Sequence, residues 1–267
     1  MGRQPIRGHF SRSRSLSDFN EKMKPFILED EIAKRYRTDT NILEIGCGEG
    51  RVLLELAKRF PDASLTGINK KPWPAMLGQR SLRRAAVNYR IFTAREVAKI
   101  KLPTIIFDDA SSLGFPSGSI NVLYSQVAIH YVARKDLLLE ETWRVLRKGG
   151  IAILHMDTYN HGYPDFLPPD TPRFIVYRSG RHVPFARVIK EAAGKTLDIT
   201  CKHTRDDDSS RTTIVMRKNS TRPLELRLEY DDAASFPLYA LQQNENRHED
   251  IFWGHRSVYH ASPAKPL

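Results

Sequence analysis

Apolar positions along this chain follow two spacings that take turns. Short runs of strand character recur at residues 41–45, 64–68, 104–107, 120–124 and 151–156. Between them, apolar residues return every third or fourth position. Val52, Leu53, Leu56, Ala57 and Phe60 fall on one face of a predicted helix that Pro61 ends. Asp136 is placed to cap a helix running to Arg147, stopped by Gly149-Gly150. Regular alternation of strand and helix predicts an α/β architecture, with a mainly parallel sheet covered by helices on both faces.

The flanks read differently. Residues 1–16 are polar, and residues 17–37 predict one or two short helices interrupted by Pro25, with Phe19, Met23, Phe26, Ile27, Ile32 and Tyr36 as buried positions. Residues 70–101 form a long insertion, with Trp73 between two prolines and a basic amphipathic stretch over 76–87. Residues 158–183 read as a long loop, and 185–193 as a short helix ended by Gly194. Two strands, 197–203 and 211–216, flank the polar turn Asp206-Asp207-Asp208-Ser209 and predict an antiparallel hairpin. Residues 224–230 alternate like one more strand, and the tail after them, with Phe252, Trp253 and Tyr259, has no assigned place. The resulting division is a basic tail with lid helices over 1–40, a central domain over 41–218 with the 70–101 insertion, and an extension over 219–267.

Composition narrows the function classes. A length of 267 residues accommodates one α/β domain with extensions, and 40% apolar residues supply a core. Cys47 and Cys201 are the only cysteines, so neither a disulfide framework nor a metal-ligand cluster is expected. No run approaches the ~20 apolar residues of a membrane span, and residues 1–14 lack the apolar core of a secretory signal, so a cytoplasmic chain with no membrane partner is expected. The net charge of +11 is uneven: residues 70–101 hold nine basic residues and one acid, Glu96. That excess reads either as a site for an anionic partner (RNA, a phosphorylated or carboxylated metabolite, an acidic peptide) or as a solvated helix face.

The chemistry begins at Leu43-Glu44-Ile45-Gly46-Cys47-Gly48-Glu49-Gly50. Glycines at alternate positions allow a tight strand-to-helix turn and bring a ligand directly against the backbone. Glu44 offers a carboxylate from the strand before it, and Cys47 fills a place where a small side chain is needed. With Arg51 after the third glycine, this is not the GxGxxG of nicotinamide and flavin binders. The stretch resembles the first motif of the class I S-adenosylmethionine (SAM) methyltransferases. The likeness continues at Asp108-Asp109-Ala110 through Val122, at 124–132, and at 140–150. It implies a Rossmann-like, doubly wound, mainly parallel seven-stranded sheet with a C-terminal antiparallel hairpin, and SAM as cofactor.

The resemblance also implies site residues. Glu44, Gly46, Cys47, Gly48 and Gly50 form the first cofactor motif. Asn69, with Lys70 beside it, stands at the end of the second strand, where the family places an acidic residue on the ribose hydroxyls; an amide still hydrogen-bonds a diol but without charge assistance. Asp109 and Ala110 read adenine, and Ser125 and Gln126 follow the fourth strand. Methyl transfer from a sulfonium is an in-line displacement that asks mainly for placement of the acceptor. His130, then His155, are the candidate general bases, each with the alternative of a hydrogen-bonded residue shaping the pocket. No metal is called for. The fourth strand lacks the Asn-Pro-Pro-Tyr or Asp-Pro-Pro-Tyr loop of exocyclic-amine methylation, and no cysteine there supports covalent attack on a pyrimidine. Three readings stand: a methyltransferase acting on O, N or C of a small molecule, an anionic one included; an RNA or peptide methyltransferase using residues 70–101; and a catalytically lapsed SAM-binding protein. Oligomeric state is not legible.

Overall fold

In the computed structural model the alternation becomes two compact units, residues 1–107 and 108–267. The structure describes residues 14–69, 78–126, 128, 129, 132, 135–159, 175–178, 181–205, 209–226, 240–243 and 248–251. Lys70, Trp73, His130, the turn at 206–208 and the aromatic tail after 251 therefore lie outside the described residues.

The first unit opens with helices α1 (Leu16–Met23) and α2 (Leu28–Ala33). Ser15 caps α1 reciprocally: its hydroxyl accepts the Asp18 N–H at 3.2 Å and its own N–H donates to the Asp18 carboxylate at 2.6 Å. Phe19, Met23, Leu28 and Ile32 are fully buried, so these helices are part of the unit's core. Strand β1 (Asn41–Ile45), helix α3 (Arg51–Arg59) and strand β2 (Ser64–Asn69) follow, then α4 (Gly78–Asn88), α5 (Ala94–Val97) and β3 (Thr104–Phe107). The insertion is thus helical: Leu82, Ala85 and Ala86 of α4 join Leu54, Ile91, Phe92 and Val97 in one apolar cluster. Strands β1, β2 and β3 are parallel in the order β3-β2-β1, with Leu43 opposite Thr66 and Thr66 opposite Thr104.

The second unit comprises β4 (Ile120–Ser125), α6 (Lys135–Val145), β5 (Leu146–Tyr159), β6 (Ile175–Arg178), β7 (Arg181–Pro184), α7 (Phe185–Ala193), β8 (Asp198–Arg205), β9 (Ser209–Arg217), β10 (Ala240–Gln243) and β11 (His248–Ile251). Its sheet strands run β4-β5-β9-β8; β4 and β5 are parallel, and β9 is antiparallel to both neighbours. The strand order is β3-β2-β1-β4-β5-β9-β8, a seven-stranded, mainly parallel sheet that ends in the expected antiparallel pair. β6–β7 and β10–β11 are separate antiparallel pairs, the first lying within the stretch read as loop.

Two local expectations are corrected. β5 continues to Tyr159 rather than stopping near Met156, because β9 pairs with it along its whole outer length, Tyr159 opposite Ser209. Residues 224–226 form no strand. Their neighbourhood bonds to α6 instead: the Leu226 N–H donates to the Glu140 carboxylate at 2.9 Å, and the Arg222 carbonyl accepts the Trp143 indole N–H at 2.7 Å.

Candidate functional site

Strand β1 runs directly into the turn at 46–50, and Gly50 is the N-cap of α3. Gly46, Gly48 and Gly50 all have left-handed backbones, with φ of 74°, 55° and 77°. Residues with a Cβ avoid this region, so the alternate-glycine pattern is a backbone requirement here. The turn is stitched to β2. The N–H groups of Gly46 and Cys47 both donate to the Ile68 carbonyl, at 2.8 and 3.2 Å, and the Gly50 N–H donates to the Cys47 carbonyl at 2.8 Å.

Asn69 completes the stitching. Its Oδ1 accepts the Gly48 N–H and its Nδ2 donates to the Gly48 carbonyl, both at 2.9 Å. A carboxylate makes the first of these bonds but has no proton for the second. The amide in place of an acid therefore has a local reason: it clasps both polar groups of the central glycine. Sequence reasoning assigned Asn69 to a ligand alone and did not contain this clasp. It also passed over Gly67. A Cβ at Gly67 would collide with Cys47 Sγ and lie 2.7 Å from Leu53 Cδ1, so β2 and the turn touch at van der Waals limits. At Gly50 a Cβ would lie 3.0 Å from Leu82 Cδ2. At Gly48 it would meet nothing within 4 Å. Of these three glycines, only Gly48 presents open space over bare backbone, which is what a ligand lying against the turn needs.

Glu44 is buried in β1, opposite Gly67. Burial first, and the Glu44 charge second, hold the Cys47 thiol well above its ordinary range, so it is neutral and not a nucleophile. Burial likewise pushes Cys201 up to about 12.

In the second unit, Asp108 and Asp109 divide their tasks. The Asp108 carboxylate accepts the Asp109 N–H at 2.8 Å and the Gly114 N–H at 3.2 Å, closing the loop after β3. Asp109 is exposed; its Oδ1 accepts the Ser111 N–H at 2.9 Å and the Ser111 hydroxyl at 2.5 Å. Ala110 beside it is buried. The same loop is held by Arg144 of α6, whose guanidinium donates to the carbonyls of Leu113 and Phe115 at 2.8 and 2.9 Å. Glu141 accepts the Leu113 N–H at 2.8 Å and pairs with Arg144 at 2.6 Å. The hydrogen bond from Arg144 lowers the Glu141 pKa despite partial burial, and Glu141 in turn raises that of Arg144. These two positioning residues escaped the sequence reading; their i, i+3 spacing was its one local trace.

Ser125 and Gln126 are buried at the carboxyl end of β4, and the Gln126 Nε2 has no hydrogen-bond partner among the described residues. His155 lies inside β5, fully buried, with Nδ1 at 3.5 Å from Thr213 Oγ1 on β9. The structure therefore brings together Glu44, Gly46, Cys47, Gly48, Gly50 and Asn69 in one unit. In the other it places Asp109 beside Ala110 and Ser125 beside Gln126, and it sets Leu154, the residue before His155, opposite Ser125 in the β4–β5 pair. Among the described residues, no group of three or more His, Cys, Asp or Glu side chains is arranged to hold a metal ion.

A family model described as a methyltransferase domain matches residues 43–154. A trans-aconitate 2-methyltransferase of Deinococcus radiodurans is 27% identical over 127 residues, covering 48% of this chain and 41% of its own. A ubiquinone/menaquinone biosynthesis C-methyltransferase of Geotalea daltonii is 26% identical over 161 residues, 60% of this chain and 58% of its own. The chain thus spans less than two-thirds of the length of these relatives. Among solved structures, a Haemonchus contortus phosphoethanolamine N-methyltransferase 2 in complex with S-adenosyl-L-methionine has a TM-score of 0.47 at 16% identity, over 77% of this chain and 57% of that one.

Proposed function

We propose that residues 43–154, which match a methyltransferase-domain family model, form a class I SAM-dependent methyltransferase domain, and that this chain transfers a methyl group from SAM to an O, N or C atom of a small-molecule acceptor. One observation carries the reading: a turn of three left-handed glycines, clasped from β2 at Gly48, keeps one face of its backbone bare.

Bound SAM supplies a methyl group already activated as a sulfonium, so the chain's contribution is placement and exclusion of water. We assign Gly48 and its neighbours to the amino-acid end of the cofactor. The N–H groups of residues 46–48 are already used within the turn and toward β2, so the turn offers clearance more than donors. Glu44 is assigned to the cofactor's cationic end, where its buried carboxylate balances positive charge. Asn69 holds the turn, with ribose recognition as its second task, and Lys70 is kept beside it. Asp109, with the backbone of Ala110, is assigned to adenine. Ser125 and Gln126, at the end of β4, are assigned to the cofactor as well, with the Gln126 amide nitrogen, which has no hydrogen-bond partner among the described residues, as the donor.

His130 is the proposed base. His155 is second, because its imidazole is fully buried beside Thr213, which suits holding β5 to β9 better than reaching an acceptor. The relatives named above act on varied small molecules, and we place the acceptor of this chain in that class without naming it.

Calorimetric titration with SAM is the deciding experiment. The native chain is expected to bind, and Gly48→Val, whose side chain enters the bare face, to bind at least tenfold more weakly. No heat from the native chain up to millimolar SAM would overturn the reading and leave a lapsed scaffold.

A further inference from the structure

Residues 78–101 hold a surface that the cofactor site does not use. On α4, Arg80, Arg83, Arg84 and Val87 follow the spacing i, i+3, i+4, i+7 and so share one face. All four are exposed, and Val87 at 38% is one of two large exposed apolar side chains among the described residues. Arg90, Arg95 and Lys99 follow, also exposed. Among the described residues none of these six cations has a hydrogen bond or ion pair. The one acid of the segment, Glu96, is committed to Thr93: it accepts the Thr93 N–H at 2.7 Å, and its own N–H donates to the Thr93 hydroxyl at 3.2 Å. Six unneutralised cations within twenty residues make a positive potential that a polyanion would neutralise.

Which polyanion is decided by the other side of the helix. A helix that lies in a membrane surface buries its own apolar face in lipid. Here Leu82, Ala85 and Ala86 are already packed in the core cluster with Leu54 and Phe92, leaving Val87 alone on the outer face. Base stacking needs exposed aromatic rings. Those of this segment are engaged: Tyr89 donates its hydroxyl to Glu49 at 2.8 Å and lies under Arg51, and Phe92 is buried beneath Lys58. What remains is charge without insertion and without base readout, which matches a sugar-phosphate backbone held independently of sequence.

We propose that the outer face of α4, with Arg90, Arg95 and Lys99, is a docking surface for the phosphate backbone of a nucleic acid. The proposal does not rest on the methyl acceptor or on SAM binding. It adds a second surface through which the chain is held near a phosphate-rich macromolecule.

The test is fluorescence anisotropy of the full chain with a labelled 20-nucleotide oligouridine, from 50 to 300 mM KCl. Micromolar binding at 50 mM salt is expected, in the range of non-specific nucleic-acid association. Combined R80E, R83E and R84E should weaken it at least tenfold and flatten the slope of log K against log salt by about 2, near 0.7 for each phosphate no longer neutralised. Combined K24E, K34E and R37E changes net charge equally on α1, α2 and their surroundings, and should cost less than threefold. R80Q, R83Q and R84Q repeat the first comparison without new acids, should the reversed variant fold poorly. Equal losses from the two sets of reversals, undiminished binding by the glutamine variant, or no binding at 50 mM salt would each overturn the proposal. So would binding to vesicles containing phosphatidylserine in the absence of any binding to the oligonucleotide, which would assign the face to a lipid surface.

Discussion

Helices α1 and α2 and helices α4 and α5 belong to the same unit, are both amphipathic, and are both anchored by buried apolar side chains, yet they treat charge in opposite ways. Over residues 16–35, five acids and four bases answer one another. Lys24 pairs with Glu21 at 2.7 Å, Lys34 and Arg35 share Glu31 at 2.5 and 2.8 Å, and Glu29 reaches Arg59 at 2.7 Å. Over residues 78–101, seven bases face one acid, and that acid caps its own helix. Both stretches are rich in charge, so the count of charges does not separate them. Their pairing does: a self-neutralised face is finished by folding, while an unanswered one keeps its potential for another molecule.

The contrast should break first at the anchors. Phe19→Ala under α1 removes a fully buried ring and is expected to destabilise by about 3–5 kcal/mol, and Leu82→Ala under α4 by about 2–5 kcal/mol. Chemical denaturation measures both. A loss below about 1 kcal/mol at Leu82 would mean that α4 is not held by its apolar face, and the two segments would no longer be comparable.

Next comes Glu31, the shared acid of α2. Burial pushes its pKa up, but hydrogen bonds from Lys34 and Arg35 outweigh that, and the net shift is downward. A carboxyl lowered on folding stabilises the native chain above its unfolded pKa, near 4.5, and that contribution disappears as pH falls through the lower folded value. Stability should therefore decline on acidification below about pH 4.5, and Glu31→Gln should reduce the decline. Denaturation midpoints at pH 7 and pH 4 for both chains test it; an unchanged difference between the two pH values would mean the pair does not act as described.

The smallest effect belongs to the exposed face. Arg84→Ala removes a cation with no ion-pair partner among the described residues and should shift stability by no more than about 0.5 kcal/mol. A larger loss, seen in the same denaturation experiment, would show that the face serves the fold and would erase the distinction drawn above.

How much of this was legible depended on whether the cause was local. The bounds of β3 follow from apolar spacing and those of α7 from apolar spacing and the adjoining Gly194, and the structure returns them as read. The alternate glycines announced the turn because a left-handed backbone leaves a direct mark on residue choice. Gly67 did not announce itself, since its need for hydrogen in place of a side chain comes from Cys47 and Leu53 crossing over it. The clasp of Asn69 on Gly48 joins residues 21 apart, and the reach of β5 to Tyr159 depends on Ser209 of β9, fifty residues later. Helix α5 carried a readable signal, the Thr93–Glu96 capping box, that went unread inside the basic insertion. Of the candidate site, the first motif was legible in the sequence, while the supports of the 108–118 loop, Arg144 and Glu141, were not, because an ordinary helical ion pair looks the same from sequence whether or not it also grips a distant carbonyl.

The segment just past β9, where the seven-stranded sheet ends along the chain, carries a practical lesson about where that sheet's support stops. Lys218 sets its ammonium 4.5 Å from the Trp143 ring and on that residue's carbonyl at 2.6 Å, the Arg222 carbonyl receives the indole N–H, and Leu224 and Leu226 are buried. A shorter version trimmed at Arg217, where the main sheet ends, would remove two buried leucines and leave the Trp143 indole N–H without the Arg222 carbonyl that accepts it. The hem of the main sheet is sewn as far as Leu226, nine residues beyond the end of β9.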